Sequence, residues 1–315
     1  MSEGRLYRLF ETCTRENMGN QFWWFYDVIA IAITLVCIFF SSRKGTIKAA
    51  ITTVGYGIAL ALALGISSTT AESLYKNTMR SSCINNINKS IKSDTFVNKY
   101  SSYLESLGYS LRVNPEKLSS IFGGEKNIDE ELVKYINNIN GRRIAEDDEV
   151  LKLVHEGYAV VIRDIVAQNV NKYAAETAAK EIRSDSSGIQ ELAPLITDKE
   201  DRTAAAKFIA DNYTAPAFVT IYKLIGFLLL FVAAAIMIYL ILQQYMSKDE
   251  SKIDAGAHIC GGIIGIIKGG LFVTVSAALI RIWAIMGSDE MLFFNNGVID
   301  KSLIFKYFYT FVSSL

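Results

Sequence analysis

Phe22-Trp23-Trp24-Phe25-Tyr26-Asp27, followed by the charge-free run Val28 to Phe40, decides the fold of this 315-residue chain. The stretch supplies about 20 largely apolar residues, enough helix to cross a hydrocarbon core of about 30 Å. Its aromatic start fits the interfacial belt, where Trp and Tyr rings sit between lipid and headgroups. The run breaks at Ser41-Ser42-Arg43-Lys44-Gly45, and a second apolar run, Ala49 to Ile66, follows at once. So short a connection makes the two spans antiparallel neighbours. The rival readings, a buried soluble helix or a cleaved signal peptide, are disfavoured; a signal peptide's apolar core is shorter and ends in small residues, whereas this one ends in Arg-Lys.

A second apolar hairpin lies far down the chain, in Ala217 to Tyr245 and Ala255 to Met286. Each of these runs exceeds what a bilayer requires, since helix rises about 1.5 Å per residue. Inside the last run, Lys268-Gly269-Gly270 combines a charge with two poor helix formers, so a break is expected there. That reading makes residues 253–267 an interfacial or re-entrant segment and Gly270 to Met286 the true fourth span. The third span is expected from about Leu224 to Gln243, after a collar and a bend near Pro216.

Between the hairpins the composition changes. Of the 64 Asp, Glu, Lys and Arg residues, 41 lie between Thr69 and Ala215, with 22 acidic against 19 basic, so this block belongs in water and is close to neutral. Nothing in so balanced a charge suggests a nucleic-acid surface, and no nucleic-acid partner is expected. The block reads as helical. Helical spacing runs through Thr69 to Lys92 and through Thr95 to Leu107, with a stop at Gly108. Asn114-Pro115 is a helix start ending at Gly123-Gly124, and Asp129 to Ile139 carries acidic residues in its first turn. The longest helix begins near Glu146 and bears a stripe through Leu151, Val154, Tyr158, Val161 and Ile165, extending toward Arg183. Asp198 to Asn212 leads into the third span.

The expected fold is therefore all-α, a four-span transmembrane helical protein of two hairpins with an inserted soluble helical domain. Its parts are an N-terminal tail (1–21), the first hairpin (22–68), an extracytoplasmic helical domain (69–215), the second hairpin (216–286) and an amphipathic C-terminal tail (287–315). Orientation follows from Arg43, Lys44 and Lys48 in the tight turn and from Lys248, Lys252 and Lys268 near the second one, which the positive-inside rule puts in the cytoplasm. Arg5, Arg8 and Arg15 weigh the other way, and loop density places both termini and the block outside. Cys13, Cys37, Cys83 and Cys260 show neither metal-ligand spacing nor a disulfide framework. Cys13 and Cys83 would share one side of the membrane, with free thiols favoured over a bridge.

Three further features bear on function. Gly261, Gly265 and Gly269 recur every four residues and make one helix face smooth enough for close backbone approach, either within the fold or in a homo-oligomer. Asp27, Lys223 and Arg281 are ionisable residues near the outer boundary of their spans. They either form an ion-paired cluster or, as favoured, cap and snorkel singly. Arg43, Lys44, Lys48 and Lys268 form a basic rim on the inner side, suited to anionic headgroups, a pattern that ordinary positive-inside placement produces more often than specific lipid recognition. Catalysis has little to stand on. His155 and His258 lie outside any His-Glu-x-x-His frame, Glu156 points about 100° away from His155 on a helix, and no Gly-x-Ser-x-Gly elbow or phosphate loop occurs. No catalytic, cofactor or metal residue is expected.

Asp27, the Ser42-x-Lys44-Gly45 break, the pattern Gly261-Gly262-x-x-Gly265-x-x-Lys268-Gly269 and Ser302 in the closing segment resemble the colicin V production protein (CvpA) family of bacterial inner-membrane proteins. The resemblance covers both hairpins and the tail, roughly half the chain. Family members usually join spans two and three by a short loop, so the block is a departure. The resemblance implies a four-span inner-membrane protein needed to make or export a peptide toxin, tied to envelope homeostasis, with no reaction attached. Three classes follow: a non-enzymatic envelope scaffold or export accessory whose outer block binds an unknown protein partner, a subunit of an oligomeric small channel or transporter, and, last, a membrane enzyme.

Overall fold

The computed structural model describes residues 22–91, 93–124, 127–139, 141, 143–198, 202–246, 254–287 and 296–315. The tail 1–21, with Arg5, Arg8, Cys13 and Arg15, and residues 247–253, with Lys248 and Lys252, lie outside these. Helices α1 (Trp24–Ser42) and α2 (Thr46–Thr78) come first. They are followed by α3 (Arg80–Ser90), α4 (Ser93–Ser106), α5 (Pro115–Phe122), α6 (Ile128–Asn138), α7 (Asp147–Asn169), α8 (Lys172–Ser184), α9 (Ile189–Thr197) and α10 (Arg202–Ile209). A π-helical turn, Ala210–Thr214, joins α10 to α11 (Ala215–Met246), and α12 (Ala255–Met286), α13 (Asn296–Ile299) and α14 (Phe305–Ser313) complete the order. Every regular element among the described residues is helical, and four helical stretches are long and apolar enough to cross a membrane: Trp24–Ser42, Thr46–Thr78, Arg202–Gln244 and Ala255–Met286. The chain is an all-α, multi-pass membrane protein. It divides into two compact units, one built from residues up to Glu72 together with Thr220–Leu315, the other from Ser73–Val219.

In the membrane unit, α1 and α12 form the most extensive helix pair. A side-chain carbon on Gly261 would sit 2.7 Å from Ser41 O, one on Gly265 would sit 2.6 Å from Ile38 Cα, and one on Gly269 would sit 2.8 Å from Thr34 Cα. Each step of about one turn up α1 is matched by one turn down α12, so the helices run antiparallel with their backbones in contact through glycine. Gly262 and Gly270, which interrupt the pattern, meet side chains only at ordinary distances of 3.7 and 3.8 Å. The turn before α2 places Gly45 at φ +72°, a left-handed conformation suited to glycine.

The break expected at Lys268-Gly269-Gly270 is absent: α12 runs unbroken from Ala255 to Met286, so residues 255–267 are part of that helix and not a separate re-entrant piece. Gly269 is spaced for close packing against Thr34 rather than for ending a helix, and this contact offsets its poor propensity. The bend foreseen at Pro216 takes the form of the π-helical turn just before it. Pro216 has no N–H to offer the carbonyl one turn back, and widening that turn relieves its ring. The carbonyl of Ala210, at the start of the π turn, accepts from the Tyr75 hydroxyl at 2.9 Å and the Thr214 hydroxyl at 3.1 Å. Asp211 receives a two-pronged contact from Arg80 at 2.6 and 2.7 Å.

In the Ser73–Val219 unit the core is aromatic at one end and alanine-rich at the other. Phe96 and Tyr100 of α4, Phe122 of α5 and Tyr158 of α7 are fully buried, with ring centroids 5.0 to 6.5 Å apart. The small face of α8, Ala174, Ala175, Ala178 and Ala179, is likewise buried, and α8 packs chiefly on α7. The long helix expected from Glu146 toward Arg183 is interrupted at Val170-Asn171, where Asn171 turns its side chain to accept from Ala174 N at 2.7 Å and starts α8. Asn114 caps α5 as expected, accepting from Glu116 N and Lys117 N at 2.9 and 3.1 Å. Helix α9, with Pro194 inside it, was not foreseen: nine residues containing a proline give little periodicity to read. Cys83 is a free, buried thiol 3.2 Å from the Thr214 hydroxyl, and burial pushes its pKa above the ordinary range, while Cys13 lies outside the described residues.

Glycines at different places in the helices predict opposite signs for one substitution. Gly→Ala gains about 1 kcal/mol of helix propensity when the added methyl meets nothing. Gly57 and Gly65 in α2 have open space there, whereas a methyl on Gly157 would lie 2.7 and 2.8 Å from the rings of Tyr103 and Tyr100. Those rings are pinned by hydroxyl bonds to Leu153 O and Val154 O. Gly57→Ala and Gly65→Ala should leave the thermal unfolding midpoint unchanged or raised. Gly157→Ala and Gly265→Ala should lower it, by overpacking worth about 1–3 kcal/mol.

Candidate functional site

Among the described residues of the membrane unit, charged side chains of interest lie at two places. At the first, Asp27, one turn into α1 and only 8 % exposed, turns its carboxylate toward the start of α14. One oxygen accepts from Leu303 N at 2.8 Å; the other accepts from Ile304 N at 2.8 Å and Phe305 N at 3.0 Å. The first amides of any helix lack partners, and Ile304, at the capping position, has no side-chain acceptor of its own. Asp27 provides from α1 what a local Ser or Asp would have provided, with a negative charge at the positive end of the helix. Tyr26 stacks on Phe305 with centroids 5.3 Å apart, and Ser302, fully buried, donates to Ile299 O at 2.8 Å.

Arg281 and Lys223 reach other parts of the same tail. Arg281 donates to Asn296 Oδ1 at 3.0 Å and to the Tyr309 hydroxyl at 3.2 Å, while Tyr309 donates to Asn296 Oδ1 at 2.6 Å. Lys223 Nζ donates to Leu315 O at 2.9 Å. The three ionisable residues thus converge on residues 296–315 from three different spans. They are not a cluster of mutual ion pairs: the Asp27 oxygens are taken by backbone amides, a set of donors that satisfies a buried carboxylate without burying a second charge. Nor does Asp27 cap its own helix, as the snorkelling picture supposes. Asn296 and Tyr309 were not singled out from sequence, and only the missing cap at Ile304 hinted at a remote partner.

At the second place the turn Ser42-Arg43-Lys44-Gly45 meets the beginning of α12. His258 Nδ1 lies 2.9 Å from Ser42 O, and the Thr46 hydroxyl donates to Ala257 O at 3.4 Å. Lys268, a few turns further along α12, is 8 % exposed, with its ammonium 4.8 Å from the centroid of the Tyr56 ring. Tyr56 also lines a cleft, together with Lys44, Lys48, Thr52, Tyr239, Leu242 and Gln243. Arg43 stands apart, over the ring of Phe39 at 4.1 Å. Gly261, Gly265 and Gly269 lie between the two places, covered by α1.

In the other unit, His155 has a partner that its sequence neighbours did not reveal. Its Nε2 lies 3.0 Å from Asp129 Oδ2, and the Tyr158 hydroxyl donates to Asp129 Oδ1 at 2.8 Å. Glu156 instead receives Arg183 at 2.6 and 2.8 Å, which holds its carboxyl below the usual range. Burial keeps the Tyr158 hydroxyl protonated far above its ordinary range, and the His155-Asp129-Tyr158 contacts strap α7 to the first turn of α6. No group of three or more His, Cys, Asp or Glu among the described residues is placed to hold a metal.

No protein-family model, no curated protein and no solved structure matches the chain. The likeness to the colicin V production family therefore rests on Asp27, Ser42, Lys44, Gly45, the glycine pattern with Lys268, and Ser302 alone.

If Asp27 serves the tail and not Arg281, exchanging the charges cannot repair the loss of either. Asp27→Arg and Arg281→Asp should each lower the thermal midpoint, the former by leaving buried amides unsatisfied at about 1–3 kcal/mol. The double exchange should be no more stable than the worse single variant. Recovery in the double variant would show direct pairing.

Proposed function

We propose that the chain is a non-enzymatic scaffold or export accessory of the bacterial inner membrane, of the kind required to make or export the peptide toxin colicin V, and that residues 69–215 form its partner-binding part outside the cytoplasm. The observation that carries this reading is the use made of the charged span residues. Asp27, Lys223 and Arg281 spend their polar contacts on fastening the chain's own tail, the work of a membrane core that must hold its shape. The soluble unit has a complete core of its own and so can offer its surface to another protein. The motif residues shared with the colicin V production family add to this, because Asp27 and Ser302 both lie in the tail latch and Ser42 and Gly45 both lie in the turn against α12. Since α1 already covers Gly261, Gly265 and Gly269, an oligomer would use another face.

The alternative, a channel or transporter subunit, draws on Lys268, a buried charge within a span. A deletion strain separates these. The scaffold reading expects impaired toxin export together with detergent sensitivity, both restored by the wild-type chain and by His155→Ala. It also expects protease added to intact protoplasts to cut within 69–215. Normal export and normal envelope resistance in the deletion strain would contradict it, and ion flux in reconstituted liposomes that Lys268→Ala abolishes would favour the channel.

A further inference from the structure

Lys268 is a charge that the tail latch and the glycine seam leave unexplained. Over nine-tenths of it is buried in a helix that crosses the membrane, where an ammonium ordinarily requires a carboxylate or a polar cage. Its neighbour is the face of Tyr56, an attraction worth far less than a full counter-charge. No described carboxylate forms an ion pair with it, and the charge of Lys44 acts on it with the same sign. Two cations so placed attract an anion.

The cleft beside Tyr56 has the form such an anion needs. It holds about 240 Å³ between α2 and α11, with Lys44 and Lys48 at its edge and the Thr52 hydroxyl and Gln243 amide as further polar groups. Its remaining walls are apolar, from Tyr56, Tyr239 and Leu242. Beside those residues on the same helices, Ile47, Ile51, Ile236 and Leu240 are exposed, a surface that a hydrocarbon chain covers and water does not. We propose that this cleft is a binding site for the phosphate of an anionic phospholipid, whose phosphodiester is held by Lys44 and Lys48 of the lining and drawn by the Lys268 ammonium on the face of Tyr56, while its acyl chains lie along the exposed faces of α2 and α11. The size suits a headgroup and not a whole lipid. The apolar surround distinguishes an amphiphile from a free phosphate ion.

Native mass spectrometry of the full chain in detergent, titrated with phosphatidylglycerol or phosphatidylcholine of matched chains, reads the preference directly. The wild-type chain should retain phosphatidylglycerol on the order of tenfold over phosphatidylcholine, about what one to two lysines contribute. Lys268→Met and the turn variant Lys44→Gln/Lys48→Gln should each abolish that preference. The turn variant is on the surface and keeps the test decisive if Lys268→Met does not fold. Arg43→Gln, outside the cleft, should retain the preference, which separates a built site from a generally basic rim. An unchanged preference in the turn variant, an equal loss with Arg43→Gln, or displacement of the lipid by inorganic phosphate alone would overturn the proposal.

Discussion

The contact between α1 and α12 governs the membrane unit, because it brings two backbones together where a single methyl on any of three glycines would collide with Ser41, Ile38 or Thr34. Within a bilayer, apolar side chains gain little by leaving lipid for one another, so helices associate where close fit and polar contacts favour it. Register follows from the same fit. With Gly269 at Thr34 and Gly261 at Ser41, the start of α1 must lie near the end of α12, and Asp27 and Arg281 face the same tail. At the other end the turn around Ser42 must meet Ala257 and His258.

The tail latch is the consequence of that register. A carboxylate buried in a span is costly, and Asp27 is relieved of the cost by three amides that themselves need an acceptor. The two deficits cancel only if the chain of α14 returns to the mouth of α1. Arg281 and Lys223 fasten the same segment elsewhere, so one short helix ties together three spans that are far apart in sequence. Lys268 obeys the same rule with the opposite result: it is buried and set against the face of Tyr56, with no carboxylate among the described residues to pair with it.

Much of this was legible in the residues. Four apolar runs, the tight Ser-Arg-Lys-Gly turn, the cap at Asn114 and the glycine face all depend on local period or local chemistry, which sequence carries directly. Gly269 was legible as a small residue but misread as a helix breaker, since its partner Thr34 lies over 200 positions away and propensity alone speaks only for the isolated helix. Asp27 was legible as an ionisable residue at the mouth of its span, but backbone amides carry no signature in side-chain identity, so a cap on its own helix was the favoured reading and Arg281 the other one. Asp129 behaved likewise: its place in the first turn of α6 explained it well enough to hide its contacts with His155 and Tyr158.

The central claim, that the glycine face of α12 is filled by α1 of the same chain, is tested most directly by cysteine crosslinking in native membranes. A side-chain carbon on Gly262 lies 3.7 Å from Ile38 Cγ2, close enough for a disulfide without overpacking. In a chain whose four native cysteines are replaced by alanine, Ile38→Cys with Gly262→Cys should form a bond under mild oxidation and migrate as a crosslinked monomer. Failure to crosslink, or a covalent dimer between chains, would contradict the account.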